Sequence, residues 1–307
     1  MSSSGHGTLT AAHGTMMRRV ALAAVCTATF LVVLKTIAFI LTDSVAMMAS
    51  LADSALDVFA SFINLLAVRH ALTPADAEHR FGHGKAEPLA GLAQSAFIAG
   101  SSAFLVIESI DRMISPRPVA HGTAGLLVMG ISIAVTVALV IAQQFVVRRT
   151  GSIAIGADRL HYVSDILVNA GVAVGIVLAT SFGILIADPI VGLLVAALLA
   201  VGVWHVFSQS YNQLMDHELP DADRARIKAI ALGRPEVRDM HDLRTRAAGV
   251  TTFIQLHIEM DPSFSLMRAH AVADDVEAAL HAEFPNAEII IHQDPEGYET
   301  PAALAKS

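Results

Sequence analysis

Asp53 and Asp57 stand four apart in ASLADSALDVFASF, and His161 and Asp165 stand four apart in LHYVSD. That spacing puts each pair on one face of a helix. Both stretches are set in apolar surroundings, where a carboxylate is costly unless it is paired or functional. Two helices that each present two ligands can close a four-coordinate site. Three carboxylates and one imidazole suit a divalent cation, and Zn2+ is at home in tetrahedral N/O geometry. A bound cation would also neutralise charges that cannot stay bare in lipid. Two blander readings stay open: aspartates facing a water-filled crevice with no ligand, and a hydrogen-bonded His161 near a helix end.

Two more groups of ligand-type residues follow. PADAEHRFGHGKAE holds Asp76, His79 and His83, which is either a second metal site in a loop or a solvated polar segment. Beside it, Lys85 is a candidate ion-pair partner for Asp216, which would lock the apolar part of the chain to the C-terminal part or to a second copy. The last quarter carries His241, His257, His270, His292 and Asp294 on different elements, so only the fold can gather them. Singly each reads as a surface residue; together they favour a metal site. His281, His6 and His13 are read as incidental.

The elements that must position these residues are mostly apolar. The chain has 307 residues, 54% of them hydrophobic and only 16% charged, with mean hydropathy +0.58. Soluble domains carry about 25% charged residues, so the composition indicates an integral membrane protein. A net charge of −8 with scattered basic residues leaves no nucleic-acid footprint. The single cysteine, Cys26, excludes an internal disulfide framework and a cysteine-based metal site.

Six segments have membrane length: Val20–Leu41, Val45–Val68, Pro88–Ile110, Gly122–Val147, Ile153–Phe182 and Asp188–Phe207. The polar segment 1–17 is read as a tail and the first apolar run as a retained span. The connections on one side carry Arg18, Arg19, Arg69, Arg80, Lys85, Arg148, Arg149 and Arg159; the other side has only Arg112 and Arg117. The positive-inside rule then puts both termini in the cytoplasm.

After a linker at 211–219 the pattern changes. Pro220–Leu232 reads as an amphipathic helix, His241–Ala247 and Thr251–Met260 as strands around Gly249, Ser265–Phe284 as a second helix and Glu288–His292 as a third strand. This αββαβ order over 220–295 suggests a small α+β domain of ferredoxin-like type, following a six-helix transmembrane domain over 18–210. The tail 296–307 is expected to be disordered.

In order and at matching spacing, DSALD, PADAEHRFGHGKAE, GADRLHYVSD, HDLRTR, FIQLHIEM and IIHQDP resemble the cation diffusion facilitator family, and within it the bacterial zinc/ferrous-iron efflux branch. The resemblance runs from about Arg18 to Pro295. It implies a homodimer of six-helix protomers, each with a cytoplasmic metallochaperone-like domain, in the bacterial inner membrane. It also implies a transport site of Asp53, Asp57, His161 and Asp165, a loop site of Asp76, His79 and His83, and an interlocking Lys85–Asp216 salt bridge. The implied cytoplasmic binuclear site is His241, His257, His270, His292 and Asp294, with Gln293 as a weak extra ligand. The implied activity is export of Zn2+, with Cd2+ and Fe2+ as further candidates, in exchange for protons by alternating access. Metal on the cytoplasmic domain would regulate it, and no organic cofactor is implied.

Other function classes fit less well. A membrane metalloprotease needs a motif such as HExxH, which is absent, as is a GxGD-type aspartyl motif. A channel favours rings of charge and weak multi-site binding rather than one compact four-ligand set. A metal-sensing receptor needs no carboxylates at mid-membrane. The chain therefore reads as a transporter and not as an enzyme.

Overall fold

The computed structural model describes residues 6–42, 45–114, 123–182 and 186–297. The expected connections at 43–44 and 183–185, the loop with Arg117 and the tail from 298 lie outside them. The chain forms two compact units: one spans Ala12–Tyr211, and the other takes the residues from Asn212 on together with those up to Ala11, the start of α1.

The larger unit is a bundle of long helices: α1 (His6–Thr42), α2 (Val45–Ala71), α3 (Ala86–Ile114), α4 (Thr123–Thr150), α5 (Ile153–Phe182) and α6 (Ala187–Leu214). Among the described residues, five of them are long and apolar enough to cross a membrane; α5 is outside that set, and its first half carries Asp158, Arg159 and Asp165. Helix α1 starts at His6, well inside the stretch 1–17 expected to be a tail, and its apolar part runs over Ala12–Leu41.

Polar side chains are turned inward. Ser61, Asn64, Gln143, Asp158, His161 and Ser164 are buried, while Leu194, Leu198, Val201 and Trp204 form an exposed apolar stripe on α6. Lipid as solvent accounts for both features: polar groups must be satisfied internally and the outer surface must be apolar.

Small residues let the helices approach. Every buried residue of α3 beyond its first turn except Gln94 and Ile98 is Gly or Ser. At Gly91 a Cβ would clash with Ser210 of α6 and meet Ile153 Cγ2 of α5 at 2.8 Å. Helix α5 packs against α2, α3 and α4.

The smaller unit contains α7 (Asp221–Leu232), β1 (Val237–Ala248), β2 (Thr251–Met260), α8 (Leu266–Glu283) and β3 (Ala287–Pro295), the αββαβ order expected. The sheet order is β1-β2-β3. A turn with Gly249 at φ +63° joins β1 to β2 antiparallel, and α8 is the crossover that makes β2 and β3 parallel. Strand β1 begins four residues earlier than expected because Val237 pairs with Met260. Strand β3 likewise runs on to Pro295, alongside Met260.

In β2 the period-2 alternation sends Ile254, Leu256, Ile258 and Met260 into a core with Val272, Val276 and Leu280 of α8 and Ile227 of α7. Gln255, His257 and Glu259 occupy the other face. Ser265 caps α8, its side chain accepting from the Arg268 amide at 3.3 Å.

Candidate metal centres

Among the described residues, three clusters of ligand-type side chains emerge, each with its donor atoms within 4.8 Å of one another: Asp57–His161–Asp165, Asp76–His79–His83 and His241–His257–Asp294.

The first lies between α2 and α5. His161 Nε2 stands 3.0 Å from Asp57 Oδ1 and 3.9 Å from Asp165 Oδ2. The imidazole is 4% exposed, and Phe97 and Tyr162 each pack a ring edge-on against it with centroids 5.5 Å apart. Both carboxylates are half-buried. Asp53, expected as the fourth ligand, is exposed and stands outside the cluster, one turn before Asp57 on α2. Lys35 of α1 reaches the same stretch of α2, donating to Ser54 Oγ at 2.7 Å and to the Ser50 carbonyl at 3.2 Å.

Two buried acids near this cluster escape a reading based on i, i+4 pairs. Asp158 is fully buried, and Gln143 Nε2 of α4 donates to its Oδ2 at 2.7 Å. Its signal was present in GADRLHYVSD: 158, 161 and 165 follow i, i+3, i+7, one helical face. Glu87, 1% exposed in the first turn of α3, accepts from Ser152 Oγ at 2.5 Å and from the Ala154 amide at 3.5 Å. No sequence pattern pairs residues so far apart in the chain.

The second cluster is a turn. Asp76 Oδ1 accepts from the amides of Glu78 at 2.9 Å and His79 at 2.7 Å. These bonds, the His79 amide foremost, hold the Asp76 carboxyl below the usual carboxylate range. His79 Nδ1 and His83 Nε2 each stand 3.4 Å from an Asp76 oxygen. His83 is buried while its two companions are exposed, and the His70 ring lies edge-on to it at 4.6 Å.

The third cluster lies on the sheet face opposite the helices. Register places His241, His257 and His292 side by side on the three strands, and Glu259 beside Asp294. Asp294 is the hub: its Oδ2 is 2.8 Å from His257 Nδ1 and 3.4 Å from His241 Nε2, and its Oδ1 is 3.2 Å from His292 Nε2. Glu259 Oε1 adds a contact to His241 Nδ1 at 3.3 Å. Sequence reasoning missed Glu259, although alternation puts it on the face of His257.

His270 does not join this cluster in the single chain. It is exposed on α8, 3.7 Å from Asp274, and α8 covers the other side of the sheet. Gln293 is in register with Ile258 on the core side. Lys85 and Asp216 belong to different units; within its own unit Asp216 Oδ1 accepts from Arg246 Nη1 at 3.3 Å.

The donor sets fit divalent cations. Each combines carboxylate oxygen with imidazole nitrogen, the ligand types that Zn2+ and its neighbours take, with the donor atoms within 4.8 Å of one another.

Residues 21–215 match the cation efflux transmembrane domain, and residues 219–296 match the cation efflux protein cytoplasmic domain. The chain belongs to the cation efflux family. It is 44% identical over 289 residues to the cation-efflux pump FieF of Cronobacter sakazakii, covering 92% of this chain and 94% of that relative. It is 44% identical over 273 residues to the FieF of Shewanella oneidensis, covering 89% and 92%. Among solved structures, a zinc form of CzrB is 33% identical with a TM-score of 0.25, covering 28% of this chain and 99% of that one. A nickel form of a MamM CTD variant is 29% identical with a TM-score of 0.24, covering 26% and 100%. Membership makes this chain a multi-pass cation transporter with an appended metal-binding domain, the architecture that the segments and strands above describe.

Proposed function

We propose that the chain exports Zn2+, with Cd2+ and Fe2+ as weaker candidates, across the bacterial inner membrane in exchange for protons. The observation that carries this reading is the Asp57–His161–Asp165 cluster between α2 and α5, built around the buried His161. Asp53, one turn away on α2, is the fourth ligand and joins when the ion draws it in. The chemistry of exchange follows from the ligands. Each must be deprotonated to bind metal, so loading the ion releases protons. Facing the cytoplasm the site loads M2+; facing outward, protons compete for the same oxygens and imidazole and displace it. One site then serves both substrates, and alternating access couples an inward proton gradient to metal export.

Both termini lie in the cytoplasm in this reading, on the support of the Arg and Lys bias of the loops. Two copies associate, and Lys85 pairs with Asp216. The loop cluster and the cytoplasmic cluster hold regulatory metal. In the loop site His79, His83 and Asp76 supply the donors; in the cytoplasmic site His241, His257, His292 and Asp294 do, and His270 from α8 adds a ligand once a second copy is present. Filling these sites biases transport only if metal binds one conformation of the bundle more tightly than the other.

The test is zinc flux in proteoliposomes carrying an imposed pH gradient. The wild-type chain is expected to give saturable flux that scales with the gradient. Flux that ignores the gradient overturns the exchange mechanism, and flux that never saturates favours a channel.

A further inference from the structure

Glu87 is a carboxylate with almost no access to solvent and no cationic partner among the described residues. Burying a charge in that way is expensive. Its surroundings compensate with oriented donors. Ser152 is the residue before α5, and its Oγ accepts from the Ile155 amide at 3.3 Å, a standard N-cap. The same hydroxyl donates to Glu87 Oε2, which also takes the Ala154 amide. Glu87 thus sits on the N-terminal end of α5, where unpaired amides and the helix dipole favour an anion. Here the anion comes from another helix, α3, so the contact ties two helices together.

What lies at each end of the tie gives it a role. Behind Glu87, the amides of Ala86 and Glu87 donate to the carbonyls of His83 and Gly84 at 3.0 and 3.1 Å. The turn that ends the loop cluster therefore runs without a break into the first turn of α3. Ahead of Ala154, α5 carries His161 and Asp165. His161 is seven residues on, about 10 Å along the helix at 1.5 Å per residue.

We propose that Glu87 is a positioning residue for transport: it clamps the start of α5 to the turn bearing His83, so that the state of the Asp76–His79–His83 cluster sets where His161 and Asp165 stand relative to Asp57. This rests on the transport reading above. Both contacts use one oxygen, Oε2, in the role of acceptor. An amide oxygen can replace it, and an alanine cannot.

The experiment measures zinc concentration dependence of flux in proteoliposomes for the full chain and for Glu87→Ala, Glu87→Gln, Asp76→Ala and Glu87→Ala/Asp76→Ala, normalised to folded protein. Glu87→Ala is expected to raise KM about tenfold, the lower end of what loss of a ligand-orienting partner costs. Glu87→Gln is expected to stay within about twofold of wild type. Asp76→Ala is expected to shift KM in the wild-type background and to add nothing in the Glu87→Ala background, a coupling that a double-mutant cycle reads directly. Unchanged KM in Glu87→Ala, or independent effects of the two substitutions, overturns the proposal. So does a Glu87→Gln variant as impaired as Glu87→Ala, which would make Glu87 a proton carrier instead. Absence of zinc flux in the wild-type chain fails the transport reading itself, whereas wild-type flux with an insensitive Glu87 fails only this inference.

Discussion

His161→Ala is the sharpest perturbation of the intramembrane cluster. The imidazole Nε2 lies between two carboxylates, 3.0 Å from Asp57 and 3.9 Å from Asp165. Its removal deletes one donor and brings two like charges face to face without a neutral group between them. Structural zinc sites with four ligands bind with roughly 10–16 kcal/mol, or about 3 kcal/mol per ligand. At 1.4 kcal/mol per decade, losing one ligand weakens binding on the order of a hundredfold. The fold should survive, because α5 keeps its packing on α2, α3 and α4. Calorimetry of zinc binding, in a background with the loop and cytoplasmic histidines replaced, isolates this site, and proteoliposome flux reads its consequence. The expected result is binding lost in the micromolar range and flux at background, with unchanged elution on size exclusion. Affinity within about threefold of the parent, with flux intact, would refute the assignment of His161 as a ligand.

Asp53→Asn is expected to lower zinc flux by less than Asp57→Asn, since Asp57 touches His161 and Asp53 is exposed; an equal or larger loss rejects that ranking. In the cytoplasmic domain, His257→Ala is expected to reduce the bound-metal stoichiometry measured by elemental analysis, because His257 lies 2.8 Å from the hub Asp294. Metal binding there should also weaken in acid, because protons compete with the metal for the ligand atoms. Stoichiometry unaltered by the substitution would place the metal elsewhere. Asp261 titrates below its ordinary value of 3.8, held down first by the Ser263 hydroxyl and then by the Ser263 amide. A depressed folded value means that the turn's contribution is present above the unfolded pKa and is lost as pH falls through the folded one. Ser263→Ala should move the carboxyl midpoint, followed by NMR, only part of the way back, because the amide still donates; no movement would contradict the hydrogen-bond origin.

Much of this protein was legible in the chain alone, for a physical reason. Lipid demands long apolar runs, so span positions follow from composition. In the C-terminal domain, period-2 and period-3.6 patterns separate strand from helix, and the αββαβ order was readable, while strand pairing extended β1 and β3 beyond the expected ends. Ligand types and i, i+4 spacing also sufficed to pair Asp53 with Asp57 and His161 with Asp165 as candidates, because helical geometry relates residues within one span without reference to the rest of the fold.

Tertiary structure decided what local geometry leaves open. Whether a second helix completes a site depends on rotation and depth, and so Asp57 meets His161 while Asp53 does not. Strand register made Asp294 the hub and brought in Glu259, and the placement of α8 on the opposite side kept His270 away. Glu87 and Ser152, 65 residues apart, share no periodicity that a sequence displays. Only the packing of α3 against α5 turns an acid in a helix's first turn into an acceptor at the N-terminal end of another helix.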